Sequence, residues 1–424
     1  MKKYNKILAI LLCVLLLGVG FGGGYLTRTL IRKDYQELNW VLEQIDENYL
    51  IYDEETGEVR TLSETEYINV LISGLKAEGF LDAYSKYYDK QGYSDLILSD
   101  KGNAYGIGLG FYKEDLQIDV VSYNSPLYKA ANGADLTGKR ITAISSLNGE
   151  PTTLSSFDDL RTQMATFVKG VQFKIYVEGV PYQVSKQSFI ESYVQYVDDQ
   201  KTLSFVSDYG SKPVKTITDG GNASLPSDVA YIRFTEFNGN AGEEFGIAMR
   251  YLHERGKTKL ILDLRNNGGG SMNIFSTVAS YLTNGTGARK NVIAVAKYKD
   301  GDTKDIKTTS NNYEALSKLT VLANENSASA SESLMGALLH YGELTYDNLI
   351  VANYGYTDGM QNTTFGKGIM QTTFSSDNDT AIKLTTAYIF WPDNSTNIHG
   401  KGIKATVANS CTYQDALSIA IGRQ

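Results

Sequence analysis

Three short segments of the chain combine residue types that could carry out nucleophilic chemistry. The first, LILDLRNNGGG at 260–270, is an apolar strand followed by a glycine loop whose backbone N–H groups could face an anion. The second, NSASASESLMGALL at 326–339, places three serines at the start of a predicted helix. The third, TFGKGIMQ at 364–371, has a lysine between two glycines. Each segment also has an ordinary interpretation: a tight turn, a helix N-cap and a surface turn.

The serine and the lysine suit each other chemically. A serine hydroxyl is a poor nucleophile and needs a base beside it. Lysine can be that base only when neutral, so its pKa must fall from about 10.4 toward about 7. Burial without a carboxylate partner would lower that pKa, and the glycines beside Lys367 allow close packing. A serine at a helix start also gains from the helix dipole, which favours a developing oxyanion.

The composition argues against several other classes of protein. The chain has 424 residues, which suggests two or three domains. Its net charge is −8 with no basic block outside the N-terminus, so a nucleic-acid partner is not expected. Cys13 and Cys411 cannot plausibly pair, and the three histidines show neither a metal-ligand spacing nor an evident partner. We therefore expect no metal, no cofactor, no disulfide framework and no Ser–His–Asp triad.

The N-terminus indicates where the protein sits. Lys2, Lys3 and Lys6 precede the uncharged stretch Ile7–Leu26, which is long enough to cross a bilayer as a helix. The positive-inside rule then predicts a single-pass anchor in the cell membrane, with the catalytic portion outside the cytoplasm. No small-residue cleavage site follows the apolar stretch, so a cleaved signal peptide is the weaker alternative.

Beyond this stub and anchor at 1–33, apolar patterning divides the chain into three parts. Residues 34–101 show helical spacing, 102–188 show short apolar runs with glycines, and 189–424 alternate strands with helices as in an α/β core. The predicted strands are Leu116–Val121, Lys139–Ile144, Gln172–Val177, Val229–Phe234, Lys259–Leu264 and Lys318–Ala323. The predicted helices are Pro126–Ala131, Ser156–Val168, Ala241–Arg255 and Asn273–Leu282.

In this order and with these neighbours, the three motifs resemble those of the carboxyl-terminal processing (tail-specific) serine peptidase family. The resemblance extends to FLDAYSKYYD and AYGIGLGFY upstream and to Ala381–Ile403 downstream, and covers roughly Leu38 to Val407. It implies a multi-domain α/β fold: a transmembrane helix, a helical segment, a PDZ-like β-domain and a crotonase-like, ClpP-like serine peptidase core.

The resemblance assigns roles residue by residue. Ser329, the middle serine of SASASE, would be the nucleophile, while Ser327 and Ser331 would be structural. Lys367 would be the general base, and Gln371 would orient it.

Two further sets of residues follow from the same resemblance. The oxyanion donors would be the backbone N–H groups of Ala330 and Gly269. A PDZ-like domain would bind the C-terminal carboxylate of a substrate as an added strand. Its carboxylate-binding loop would be Tyr105, Gly106, Ile107 and Gly108, and the helix beginning near Ser125 would form the other wall of the groove.

The chain departs from the family pattern in four places. Gly268 replaces the usual proline, and the gap from Ser329 to Lys367 is lengthened around 353–363, which we expect to form a loop at the rim of the site. The segment 208–228 is lengthened too, and is predicted to be a surface loop or hairpin. His340 stands where many members have aspartate, about three turns along the helix from the nucleophile and too far to be its base.

The sequence therefore predicts a serine endopeptidase with a Ser–Lys dyad. Its partners would be protein or peptide substrates bound through their C-terminal tails; homo-oligomerisation is left open. Two alternatives remain: a catalytically silent PDZ-bearing binding protein, and a crotonase-like acyl-CoA enzyme.

Overall fold

The structure is a computed structural model that describes residues 36–48, 51–52, 59–60, 62–111, 115–199, 201–206, 214–219, 225–284 and 290–424. The predicted membrane anchor at Ile7–Leu26 lies outside these residues. Among the residues described, no helix has both the length and the apolar character needed to cross a membrane.

The chain divides into two compact units, at Met1–Ala77 and Glu78–Gln424. In the first unit, the Tyr67 hydroxyl donates a hydrogen bond to Asp46 Oδ1 at 2.7 Å and so links two helices. The described elements of this unit are helix α1 (Gln36–Asn48), strands β1 (Ile51–Tyr52) and β2 (Val59–Arg60), and helix α2 (Glu64–Ala77).

The second unit begins with a strand, a helix and a small β-module at residues 103–190. The main sheet of the module has the strand order β10-β9-β7-β8, and its core packs Phe173 and Ile175 against Leu160 of helix α5. The elements are β3 (Lys86–Tyr88), α3 (Lys90–Asp100), β4 (Asn103–Gly106), β5 (Leu109–Gly110), β6 (Val120–Val121), α4 (Pro126–Ala130), β7 (Ile141–Ser146), β8 (Thr152–Thr153), α5 (Phe157–Thr166), β9 (Gln172–Val177), β10 (Val180–Ser185) and β11 (Gln187–Ile190).

A large sheet of eight strands forms the centre of this unit, in the order β14-β13-β12-β15-β16-β19-β20-β23. Leu260 and Leu262 belong to the core on one face, and Ile261 to the core on the other, as strand alternation requires. The elements are β12 (Val194–Val197), β13 (Lys201–Val206), β14 (Val214–Asp219), β15 (Val229–Phe234), α6 (Ala241–Glu254), β16 (Lys259–Asp263), α7 (Met272–Leu282), β19 (Lys318–Ala323), α8 (Ala330–Tyr341), β20 (Leu349–Asn353), β23 (Ser410–Thr412) and α9 (Ala416–Gly422), with 3₁₀ turns at Tyr346–Asn348 and Val407–Asn409.

A second, antiparallel sheet packs beside these elements in the order β18-β17-β22-β21, and β3 adds to β22. Its strands are β17 (Val292–Tyr298), β18 (Thr303–Lys307), β21 (Ile369–Ser375) and β22 (Ala381–Phe390). The segment FLDAYSKYYD therefore joins the sheet that carries the lysine motif.

Three parallel strands of the large sheet end at the same edge. Strands β15, β16 and β19 run parallel to one another, and the glycine loop and the serine motif directly follow β16 and β19. Loops at the carboxyl ends of parallel strands are where α/β folds place their ligand sites. The order of the chain thus brings two of the three motifs together.

Several predicted elements agree closely with the structure. The strands Gln172–Val177, Val229–Phe234 and Lys318–Ala323 have the predicted bounds, and strands β13 and β14 pair as a hairpin across part of the lengthened segment 208–228.

Two predicted elements were wrong in part. Residues 34–101 are not all helical, because Lys86–Tyr88 pairs with β22. Only Val120–Val121 of the predicted strand Leu116–Val121 is a strand, although Gln117 forms an isolated bridge with Arg140.

Candidate active site

Ser329 caps helix α8 in a strained conformation. Its φ is 56°, a left-handed value that is unfavourable for a residue with a side chain. It is half-buried, and its backbone N–H donates to Glu332 Oε2 at 3.0 Å. The turn presents one serine at the point where the helix dipole is positive.

The two neighbouring serines have other tasks. Ser327 and Ser331 are fully buried. The Ser327 hydroxyl donates to the Leu264 carbonyl at 2.7 Å, and the Ser331 hydroxyl donates to the Asn267 carbonyl at 2.9 Å. Both bonds tie the serine motif to the glycine loop, which fits the structural roles expected for these serines.

A buried carboxylate, Glu332, connects the serine motif to the lysine motif. Besides the Ser329 N–H, it accepts the Thr364 hydroxyl at 2.6 Å, the Gly366 N–H at 2.7 Å and the Lys367 N–H at 2.8 Å. Burial raises the pKa of Glu332, and these four bonds oppose that rise. Sequence reasoning missed this residue; its position three residues after an N-cap serine was the available signal.

Lys367 is half-buried beside the ring of Tyr84. Its Nζ lies 4.3 Å from the ring centroid. Burial lowers the pKa of Lys367, and the charge of Lys383 lowers it further, while Asp82 and Glu332 oppose the change. The net direction is the one that a neutral general base requires.

The glycines beside Lys367 hold its loop against the turn at 399–402. A Cβ added at Gly366 would lie 2.8 Å from the Gly402 nitrogen, and one added at Gly368 would lie 2.8 Å from the His399 nitrogen. The close packing expected from the flanking glycines is therefore confirmed.

Gln371 lies on β21 and bonds to a residue other than Lys367. Its Nε2 donates to Thr385 Oγ1 at 2.9 Å, and Thr385 also bonds to the carboxylate of Asp82. Gln371 is thus linked through Thr385 to Asp82, whose charge raises the pKa of Lys367. Its direct orientation of Lys367 stays a prediction.

The predicted oxyanion donors, Ala330 and Gly269, lie side by side. A Cβ on Gly269, whose φ is 97°, would lie 2.7 Å from the Ser329 Cβ and 2.8 Å from the Ala330 nitrogen. Ala330 is buried at the first turn of α8, but the Gly269 N–H already donates to Asn267 Oδ1 at 2.9 Å. A second donor would require the Asn267 side chain to turn away.

The loop Tyr105–Gly108 lines a groove of about 310 Å³ on the β-module, called here the module groove. The predicted second wall, the helix near Ser125, was wrong. The wall is α5, which contributes Leu160 and Met164, while α4 lies behind the loop with the Leu127 N–H bonded to the Ile107 carbonyl.

A second cavity of about 500 Å³, the central cavity, lies between the module and the glycine loop. Lys367 and Gly268–Gly270 line it, together with Leu109 and Phe111 of the module. Leu109 and Phe111 also line the module groove, so the two spaces adjoin.

The other sequence features also have definite places. His340 is exposed near the C-terminal end of α8, and Tyr354, in the lengthened segment, accepts a hydrogen bond from Asn266 Nδ2 at 2.8 Å, beside the glycine loop. Within the part of the chain that the structure describes, no group of three or more His, Cys, Asp or Glu side chains could hold a metal ion.

The chain is similar in sequence to known proteases. Residues 228–408 match the model of peptidase family S41. The carboxy-terminal processing protease CtpB of Bacillus subtilis (strain 168) is 29% identical over 329 residues, which cover 77% of this chain and 60% of that protein. A probable CtpA-like serine protease of Staphylococcus epidermidis (strain ATCC 12228) is 25% identical over 392 residues, 92% of this chain and 68% of that protein. This chain thus spans only part of the length of both relatives.

A solved structure shows the same fold. The photosystem II D1 C-terminal processing protease superposes with a TM-score of 0.50 at 19% identity, covering 82% of this chain and 83% of that one. With the family match, this confirms an α/β fold of the predicted peptidase family. Residues 228–408 of this chain are therefore similar to peptidase family S41, and the two relatives named above are proteases.

Proposed function

We propose that this chain is a serine endopeptidase that uses a Ser329–Lys367 dyad and recognises its protein substrates through their C-terminal tails. The observation that carries the proposal is Glu332, whose single buried carboxylate binds the backbone of both residues. A helix cap and a surface turn, taken separately, would not need to share one acceptor.

The dyad would act by acyl transfer. Neutral Lys367 Nζ takes the Ser329 hydroxyl proton as Oγ attacks the scissile carbonyl carbon, and the oxyanion forms against the Ala330 N–H. The C–N bond then breaks, the leaving amine takes the proton from the lysine, and an ester remains on Ser329. Water, deprotonated by the same lysine, attacks the ester; the C–O bond then breaks, the lysine returns the proton to Ser329 Oγ, and the new C-terminus is released.

The β-module would act as a PDZ-like receptor for the substrate tail. Its groove lies between the Tyr105–Gly108 loop and helix α5, which suits an added peptide strand with its carboxylate at the loop. The groove adjoins the central cavity, so a bound tail would lead its chain toward Ser329. The name of the Bacillus subtilis relative, which describes carboxy-terminal processing, supports this role.

We also keep the proposal of a membrane anchor at Ile7–Leu26, with the catalytic portion outside the cytoplasm. Intact cells expressing the chain should lose it to added protease, and the chain should sediment with membranes. A mature form that begins near Thr27 would show instead that the segment is removed.

The test of tail recognition compares two peptides that differ only at their C-terminus, one a free carboxylate and one an amide. We expect the wild-type chain to cut the carboxylate form with a kcat/KM about tenfold higher, because an amide loses the charged bonds of the loop. The Gly106→Trp variant should lose this preference. Equal cleavage of both peptides by the wild-type chain would contradict tail recognition. Cleavage of neither peptide would contradict the proposed peptidase activity.

A further inference from the structure

The space around Lys367 is lined by charged residues, with acidic residues on one side and lysines on the other. On the module side, Glu191 and Glu236 line the central cavity. On the other side a cavity of about 760 Å³, the outer cavity, is lined by Lys297 and Lys299. The mechanism above uses none of these four residues.

The acidic side is open to a ligand. Glu236 lines the cavity and accepts no hydrogen bond from the described residues, while Glu191 Oε2 accepts the Tyr193 hydroxyl at 2.8 Å. Desolvation first, and then the charges of Glu191 and Asp100, raise the pKa of Glu236 to about 7. A cation placed between the two carboxylates would relieve this repulsion.

The basic side is open as well. Lys297 and Lys299 are exposed, and neither forms an ion pair with a described residue. Asp82 also lines this cavity, but its Oδ1 accepts the backbone N–H groups of Tyr84 at 3.0 Å and Ser85 at 2.9 Å. These bonds keep Asp82 ionised, so two lysine charges face one carboxylate charge and the net charge of this lining is positive.

The two cavities adjoin at Lys367 and Tyr84. Lys367 lines the central cavity and its Nζ stacks on Tyr84, which lines the outer cavity. The module groove shares Leu109, Phe111 and Glu191 with the central cavity. A chain whose tail occupies the groove would thus cross the central cavity first, then the dyad, then the outer cavity.

We infer that this cleft selects substrates with a lysine or arginine on the C-terminal side of the cleaved bond and an aspartate or glutamate on the N-terminal side. Glu191 and Glu236 hold the basic side chain, and Lys297 and Lys299 hold the acidic one. The direction of the chain in this inference rests on the proposed function, because it assumes that the tail lies in the module groove. Opposite charges at the two ends also disfavour a chain that enters backwards.

The test uses two N-terminally fluorescein-labelled peptides with the same tail and the same composition. The forward peptide has two glutamates before the cleaved bond and two lysines after it, and the reversed peptide exchanges them. Cleavage by the full-length wild-type chain gives kcat/KM, with the cleaved bond read by mass spectrometry. Fluorescence anisotropy with full-length Ser329→Ala gives Kd without catalysis.

We expect the forward peptide to be cut roughly tenfold faster and bound roughly tenfold tighter, as expected for charge pairs that are partly desolvated. The double variant Glu191→Gln/Glu236→Gln should lose most of this preference. Glu243→Gln/Glu254→Gln, exposed carboxylates on α6, changes the net charge equally and should keep it. Raised salt should weaken the preference in the wild-type chain.

Equal Kd values for the two peptides, or a preference for the reversed one, would overturn the inference even if both are cut. An equal loss of preference in the Glu243→Gln/Glu254→Gln control would overturn it too, since the effect would then come from net charge. If neither peptide is cut, the peptidase proposal fails, and tighter binding of the forward peptide to Ser329→Ala would still support the charged cleft.

Discussion

At the scale of single residues, the proposed mechanism requires that the pKa of Lys367 lie below its ordinary value. Lys367 is half-buried, and its nearest charges disagree: Lys383 favours the neutral form, whereas Asp82 and Glu332 favour the ammonium. Burial decides the balance. The sequence predicted this direction from the absence of an acidic neighbour, but the structure places two acids nearby and a second lysine that offsets them.

The pH–rate profile should report this lysine. Activity should fall as the pH drops below the lowered pKa of Lys367, because the protonated amine cannot accept the Ser329 proton. Lys383→Gln removes a charge that lowers this pKa, so the acidic limb should move to higher pH. The control Lys304→Gln, an exposed lysine on β18, should leave the limb in place. A limb that moves to lower pH in Lys383→Gln would contradict the assignment.

At the scale of elements, the side chain of Glu332 holds helix α8 against the loop at 364–367, which contains Lys367. Glu332 takes four hydrogen bonds from three backbone N–H groups and one hydroxyl, so the N-terminus of α8 and the loop at 364–367 cannot separate without leaving buried donors unpaired.

Removing the charge of Glu332 should therefore disturb both stability and catalysis. In Glu332→Gln one oxygen is replaced by an amide nitrogen that cannot accept, and we expect a loss of about 1–3 kcal/mol of unfolding free energy. We expect kcat to fall more than KM rises, because the dyad is misplaced while the grooves are intact. Thermal denaturation and steady-state kinetics measure the two effects. Full activity in Glu332→Gln would show that catalysis does not need the hydrogen bonds by which Glu332 joins helix α8 to the loop at 364–367.

The glycine loop offers a second test at this scale. Gly269→Ala places a methyl group 2.7 Å from the Ser329 Cβ and from the Ala328 carbonyl oxygen, so we expect activity to be lost. Gly256→Ala also has a positive φ, of 66°, but nothing lies within 4 Å of the added atom. It should lower the melting temperature slightly through about 1 kcal/mol of strain and keep its activity. Equal activity in the two variants would show that the close approach of Gly269 to Ser329 is not needed for activity.

These elements show what a sequence can and cannot reveal. The strands Val229–Phe234 and Lys318–Ala323 were predicted with their bounds, because runs of apolar residues mark buried parallel strands. Glu332 and Asn267 were missed, because their partners depend on contacts between loops distant in the chain. The groove wall was assigned to the wrong helix for the same reason: Ser125 and Ser156 cap helices equally well, and only tertiary packing selects α5.

At the scale of the whole second unit, the β-module is attached to the large sheet by a few polar contacts. Arg233 pairs with Asp135 of the module at 3.0 Å, and Asn266 Nδ2 donates to the Asp119 carbonyl at 2.9 Å. Because Asn266 directly precedes the glycine-loop residue Asn267, the position of the module and that of the loop are connected.

The ion pair should make the stability of this attachment depend on pH. Partial desolvation would raise the pKa of Asp135, whose side chain is 60% exposed, but the charge of Arg233 and hydrogen bonds from Thr137 outweigh it and lower the pKa to about 2. The contribution of the ionised Asp135 to the free energy of unfolding is thus present above about pH 4 and is lost as the pH falls toward the folded-state pKa. The melting temperature of Asp135→Asn should lie below that of the wild type at pH 7, and the gap should narrow toward pH 3. A difference in melting temperature that stays constant with pH would contradict the pairing. As the control, Asp377→Asn, which alters an exposed carboxylate, should have the melting temperature of the wild type at pH 7.

The most direct test of the Ser329–Lys367 dyad is labelling of the full-length chain with a fluorophosphonate, read by intact mass and peptide mapping. We predict one adduct, on Ser329, that forms at the normal rate in Ser327→Ala, much more slowly in Lys367→Ala and not at all in Ser329→Ala. An adduct on Ser327 or Ser331, or labelling of Ser329 at an unchanged rate in Lys367→Ala, would contradict the dyad.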